Sequence, residues 1–124
     1  MVGIDKELKN LIENNALAFA TVDGKGNPHC IAVGFVKVVS KNELLITDNY
    51  MAQTGENVKH NNNVALAVWN RNWEENCVGY ELRGKAEYFT SGKWYDFVRK
   101  MPENKNCPCK AAILVTINEI KKLA

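Results

Sequence analysis

Four short runs constrain this chain more than anything else in it: residues 16–22 (ALAFATV), 30–36 (CIAVGFV), 64–69 (VALAVW) and 111–117 (AAILVTI) are apolar at odd and even positions alike. Successive side chains of a strand point to opposite sides, so none of these runs can keep one face in water. Residues 77–90 (CVGYELRGKAEYFT) instead alternate cleanly, with Tyr80, Leu82, Gly84, Ala86 and Tyr88 on one face and Glu81, Arg83, Lys85 and Glu87 on the other. With "PHCIAVGFVKVV" read as one strand over 28–39 after a Gly-rich hairpin turn, and "LLITD" over 44–48, the count is six. Gly84 inside its strand predicts a bulge or sharp bend. The economical arrangement is a closed antiparallel barrel, since closure removes exposed edges.

Helices are few. Ile4, Leu8, Leu11 and Ile12 form a stripe that predicts an amphipathic helix over 5–15, lying as a lid on something larger. Ser91 is positioned to cap a short helix bearing Trp94, Phe97, Val98 and Met101, with Pro102 just beyond, and Asn118 to cap a terminal turn. The expectation is a mainly β (α+β) fold, residues 1–124 as one domain, with peripheral short helices. Those helices are too few to cover every apolar face, so a homodimer is expected.

Composition removes several function classes. A net charge of +2 from 16 basic and 14 acidic residues offers no cationic face for a phosphate backbone, which argues against nucleic acid. No stretch has the apolar length of a membrane span, and the first fourteen residues mix charge with Leu at helical spacing, unlike a signal peptide, so a cytoplasmic location is expected. Cys30, Cys77, Cys107 and Cys109 are then expected to be reduced thiols. "NCPCK" lacks the C-x-x-C spacing, a zinc site there would need Cys77, His29 or His60 from afar, and no metal is expected. No positioned acid–base or nucleophile pair emerges; His29 and His60 lack partners and read as packing or surface residues.

The segment "ITDNYMAQTGENVKHNNNVALAVW" (46–69) supports two readings. In one it is a strand end and a helix cap, with Asp48 and Asn49 closing the strand, Thr54 or Asn49 capping the next helix and Val58 packing inward. In the other, the amides of Gln53, Thr54 and Gly55, with the Thr54 hydroxyl, receive an anion, and Gly55 permits its close approach. No Walker or G-x-G-x-x-G sequence accompanies it.

The series "ALAFATVDGKGNPHCIAVGFVKVV", "LLITDNYMAQTGENVKHNNNVALAVW" and "GYELRGKAEYF" resembles the split-barrel flavin-binding proteins related to pyridoxamine 5'-phosphate oxidase, most closely their short FMN-binding form. The resemblance implies a homodimer with one FMN in a groove at each end of the subunit interface. It implies that Ala32, Val33, Gly34 and on to Lys37 run along the isoalloxazine ring toward the phosphate, that Ile46, Thr47, Asp48 and Asn49 border the ring and ribityl chain, and that Gln53, Thr54 and Asn57 hold the phosphate. Such a groove needs a flat apolar slot and a few fixed donors rather than side-chain acids and bases. The family often carries Lys where Gln53 stands, so FMN is expected to bind about tenfold less tightly unless Lys37 compensates. Gly79 stands about where larger oxidases carry a Gln that reaches the flavin, which argues against pyridoxamine phosphate oxidation. The implied function is an FMN-dependent oxidoreductase or electron carrier with an unidentified donor and acceptor. The alternatives are a reductase using F420 or another flavin-like cofactor, and a non-enzymatic β-barrel binding module. The resemblance also brings the 107–109 loop near the ring, where a thiol could pass electrons. Trp69 and Trp73 read as dimer-seam packing or as flavin neighbours.

Overall fold

The computed structural model describes residues 3–123. Three α-helices, one 3-10 turn and seven strands follow in the order α1 (Lys6–Glu13), β1 (Leu17–Val22), β2 (Pro28–Val33), β3 (Lys37–Ser40), β4 (Glu43–Asp48), α2 (Thr54–His60), β5 (Asn63–Trp69), β6 (Gly79–Phe89), α3 (Lys93–Lys100), the turn Pro102–Asn104, and β7 (Ala111–Lys122). The strands make one antiparallel sheet in the order β2-β1-β5-β6-β7-β4-β3.

Two expectations about the sheet are corrected here. There are seven strands, not six, because the run 28–39 breaks at Gly34–Val36, where Phe35 takes φ 55°. The sheet is also not closed: β2 and β3 are its two edges and do not pair. Yet they are consecutive in sequence, and the short link between Val33 and Lys37 can span no more than about 15 Å, so the sheet must curl until its edges nearly meet.

Local chemistry explains the elements. Asp5 caps α1 by accepting the Leu8 amide at 2.8 Å, and Leu8 and Ile12 bury the helix against the sheet. Asp23 organises the β1–β2 turn, accepting amides from Lys25 (2.8 Å) and Asn27 (2.9 Å) while Gly26 takes φ 86°. The expected cap at Ser91 is not made; Gly92, at φ 93°, precedes α3 without a side-chain cap. Asn118 caps nothing either, since β7 runs through it to Lys122 along β6.

The main core gathers Phe19, Leu66, Leu82, Ile113 and Ile117 from the sheet with Leu8 and Ile12 of α1. A smaller cluster of Leu45, Val98, Met101, Ala112 and Leu114 lies on the other face of β4 and β7, covered by α3. That cover explains how these strands are apolar on both faces. A register shift between Arg83 and Gly84 bends β6 against β7 as the glycine predicted.

Candidate functional site

Where the sheet breaks between β2 and β3, a groove of about 530 Å³ runs from the end of β2 to the start of α2. Of the residues expected to hold a cofactor, Ala32, Val33, Gly34, Thr47, Asn49, Gln53 and Thr54 line it. Phe35, inside the segment expected to follow the ring, lines it too, and the sequence reading missed His29, Ile31, Tyr50, Met51 and Ala52, which complete its walls. These are neighbours in sequence of named positions, and only the fold shows that they turn the same way.

Four expected residues do not line the groove. Ile46 is wholly buried in the core beneath it. Asp48 is also fully buried, accepting from the Tyr88 hydroxyl at 2.5 Å and the Met51 amide at 3.0 Å, with Lys110 Nζ 3.6 Å away. Asn57 accepts from Gln53 Nε2 at 2.8 Å and donates to Thr21 Oγ1 at 3.0 Å, so it orients Gln53 from below. Lys37 lines a separate cleft with Phe97 and Met101, and its Nζ lies 3.6 Å from Glu13.

The 49–53 loop between β4 and α2 is held from outside by residues that local sequence could not reveal. Lys110 Nζ donates to the Met51 carbonyl at 2.7 Å, the Lys110 amide donates to the Asp48 carbonyl at 2.8 Å, and the Cys109 amide donates to Asn49 Oδ1 at 2.9 Å. Gly55 serves a different purpose from the one expected. Its α-carbon faces the Tyr88 ring, where a β-carbon would come within 3.0 Å of the ring, so the space is taken by Tyr88 rather than kept for a ligand.

Burial and the Asp48 carboxylate both push the Tyr88 hydroxyl above its ordinary value of 10.0. The folded state therefore holds this proton more tightly than the unfolded chain. The resulting stability is complete below about pH 10 and is lost as pH rises beyond it. Tyr88→Phe is expected to cost about 1 kcal/mol at pH 8. The gap from wild type should narrow between pH 10 and 11, as read by urea unfolding at each pH; a gap independent of pH would refute the assignment.

At the polar end of the groove, the Thr54 side-chain oxygen is buried and has no hydrogen-bond partner. The amides of Gln53, Thr54 and Gly55 find no acceptor among the described residues either. Neither Thr54 nor Asn49 caps α2; the cap position is Gln53, without a side-chain bond. A buried hydroxyl is normally satisfied and the first amides of a helix have no intrahelical acceptor, so together at the end of a groove they are what an anionic oxygen would complete.

None of the four cysteines lines the groove, although the Cys109 backbone holds Asn49 at its edge. Cys109 is buried with φ 48°, its Sγ 3.8 Å from the Asn104 carbonyl, and burial raises its pKa, which disfavours the reactive thiolate. Among the described residues, no three His, Cys, Asp or Glu side chains come together as a metal site. No described helix is long and apolar enough to cross a membrane.

The family model of pyridoxamine 5'-phosphate oxidase matches residues 4–123. The chain belongs to that family. The HupZ protein of Group A Streptococcus is similar to it in structure, with TM-score 0.88, 28% identity, and coverage of 97% of this chain and 94% of that one. So is an FMN-binding protein of Syntrophomonas wolfei, with TM-score 0.77, 15% identity, and coverage of 94% and 83%. An F420 reductase shares the fold at TM-score 0.69 and 22% identity, over 91% of this chain and 94% of that one. No curated protein matches the chain at a comparable level. The open, curled sheet is thus this family's split barrel, and the groove lies at the split.

Proposed function

We propose that the chain binds FMN non-covalently in the groove at the split and serves as an oxidoreductase or electron carrier. The observation that carries this reading is the orphaned Thr54 hydroxyl, buried beside three unpaired amides. These donors suit a terminal phosphoryl group. Gln53, fixed by Asn57, adds a neutral donor to it. Ala32, Val33 and Gly34 offer a flat wall for the ring, and no atom lies within 4 Å of a β-carbon built on Gly34. Thr47 and Asn49 border the ribityl chain, and Ile46 and Asp48 support that wall from inside. Lys37 stays with Glu13 and has no part in the phosphate site. The bound flavin supplies the one- or two-electron chemistry, while this chain's residues orient it and exclude water.

A homodimer belongs to the same reading. Ala18 pairs with both Ala32 and Ala67, and Ala20 with Ala65, giving a patch of small side chains across β2, β1 and β5 that is half-buried to exposed in the single chain. Sedimentation equilibrium should return twice the chain mass; a monomer would remove this element.

The decisive test is Thr54→Val. Removing a buried unpaired hydroxyl should leave urea stability unchanged or raised, while FMN affinity falls about tenfold or more by fluorescence titration. Wild-type protein that takes up no FMN, or a variant that binds it equally well, would overturn the reading. The same titration with F420 tests the deazaflavin alternative: tighter uptake of F420 than of FMN would put the deazaflavin in the groove.

A further inference from the structure

Beside the groove, and sharing its Gly34–Phe35 wall, lies a second cavity of about 620 Å³. The end of α1 and the end of β5 form the remainder of it. Its volume is that of a small-molecule site.

Three features give this cavity a chemistry. First, Asn70 Oδ1 is buried with no hydrogen-bond partner, and an N–H from a ligand would complete it. Asn14 and Asn15 direct their side-chain N–H groups to the carbonyls of Asn10 and Leu11, at 2.7 and 2.8 Å, which leaves their amide oxygens as further acceptors. Second, Phe35 and Trp69 stand at its rim, 59% and 46% exposed in the single chain, with Trp69 at the end of the β5 face that carries Ala65 and Ala67. Phe35 is held there at φ 55°, a backbone region that bulky residues seldom occupy and that tends to mark functional positions. Third, Arg71 makes no salt bridge to any described residue, while the Glu13 carboxylate on the same wall is already engaged by the Val38 amide at 2.9 Å and Lys37 at 3.6 Å. The cavity therefore presents acceptors, flat rings and one uncompensated cation.

We infer that this cavity binds a nucleotide whose planar base carries an exocyclic N–H2 group. The base lies against Phe35 and Trp69, its N–H2 donates to Asn70, and its phosphate meets Arg71. As the place where a second molecule meets the cofactor across Gly34–Phe35, the site rests on the FMN reading; its nucleotide binding does not.

Nicotinamide and adenine both present such a group, and calorimetric titration distinguishes them. Nicotinamide mononucleotide is compared with nicotinic acid mononucleotide, and adenosine monophosphate with inosine monophosphate, each with and without saturating FMN. One amino-bearing nucleotide should bind at least tenfold more tightly than its analogue, and FMN should not displace it. Arg71→Met should weaken it at least tenfold, and Asn70→Leu should abolish the preference within the pair. If Asn70→Leu does not fold, the wild-type preference still decides. Binding of neither nucleotide, equal binding within both pairs, or displacement by FMN overturns the inference. Uptake of FMN without nucleotide sinks only this site, and uptake of nucleotide without FMN sinks only the flavin reading.

Discussion

Replacing Gly84 by Ala is expected to destabilise the fold by more than about 3 kcal/mol. A β-carbon there would stand 2.1 Å from the Thr116 carbonyl oxygen and 2.9 Å from its carbon, both backbone atoms of the neighbouring strand. Neither can move without breaking the β6–β7 ladder, which holds the longest strands of the sheet together. Because a domain of this size is only marginally stable, the thermal midpoint should fall by about 10 °C or more. Gly34→Ala is the control: open space surrounds it, so stability should hold. A Gly84→Ala midpoint within a degree or two of wild type would mean that β6 and β7 do not approach as described.

The second large effect is expected from Asp48→Ala. This buried carboxylate accepts from the Tyr88 hydroxyl and the Met51 amide, so truncation leaves two donors unsatisfied and a void. The cost should be about 3 kcal/mol, with little of it from Lys110, whose side chain is half exposed. Asp48 also anchors the 49–53 loop, so FMN affinity should fall at least tenfold although Asp48 does not line the groove. Urea unfolding and flavin titration read the two effects separately. Loss of stability with unchanged affinity would show that the loop keeps its shape without its anchor.

Much of this architecture was legible because the local signals are strong. The β6 alternation, the α1 stripe and Gly84 each led to the observed element. The β2–β3 break was not legible, because "CIAVGFVKVV" is a continuous apolar run whose only punctuation is Gly34, and the interruption depends on the backbone of Phe35. The length of β7 was hidden for a similar reason: Asn118, Glu119 and Lys121 look like a polar end, but Glu119 and Lys121 pair with Arg83 and Glu81 of β6, and Asn118 falls at the register shift between Arg83 and Gly84. At the site, the segment 46–57 could be recognised as a unit, but strand alternation sends Thr47 to the groove and Ile46 and Asp48 into the core. Tyr88 and Lys110 lie 40 and 59 residues from the Asp48 and Met51 atoms they bind, beyond any local pattern.

The unpaired edges of β2 and β3 carry a mechanical consequence. A fully hydrogen-bonded cylinder has a bore fixed by its ladders, whereas a wall slit lengthwise and joined by one short hinge can widen or narrow without breaking a rung. A groove placed at such a slit can therefore change its width while the rest of the staves stay untouched.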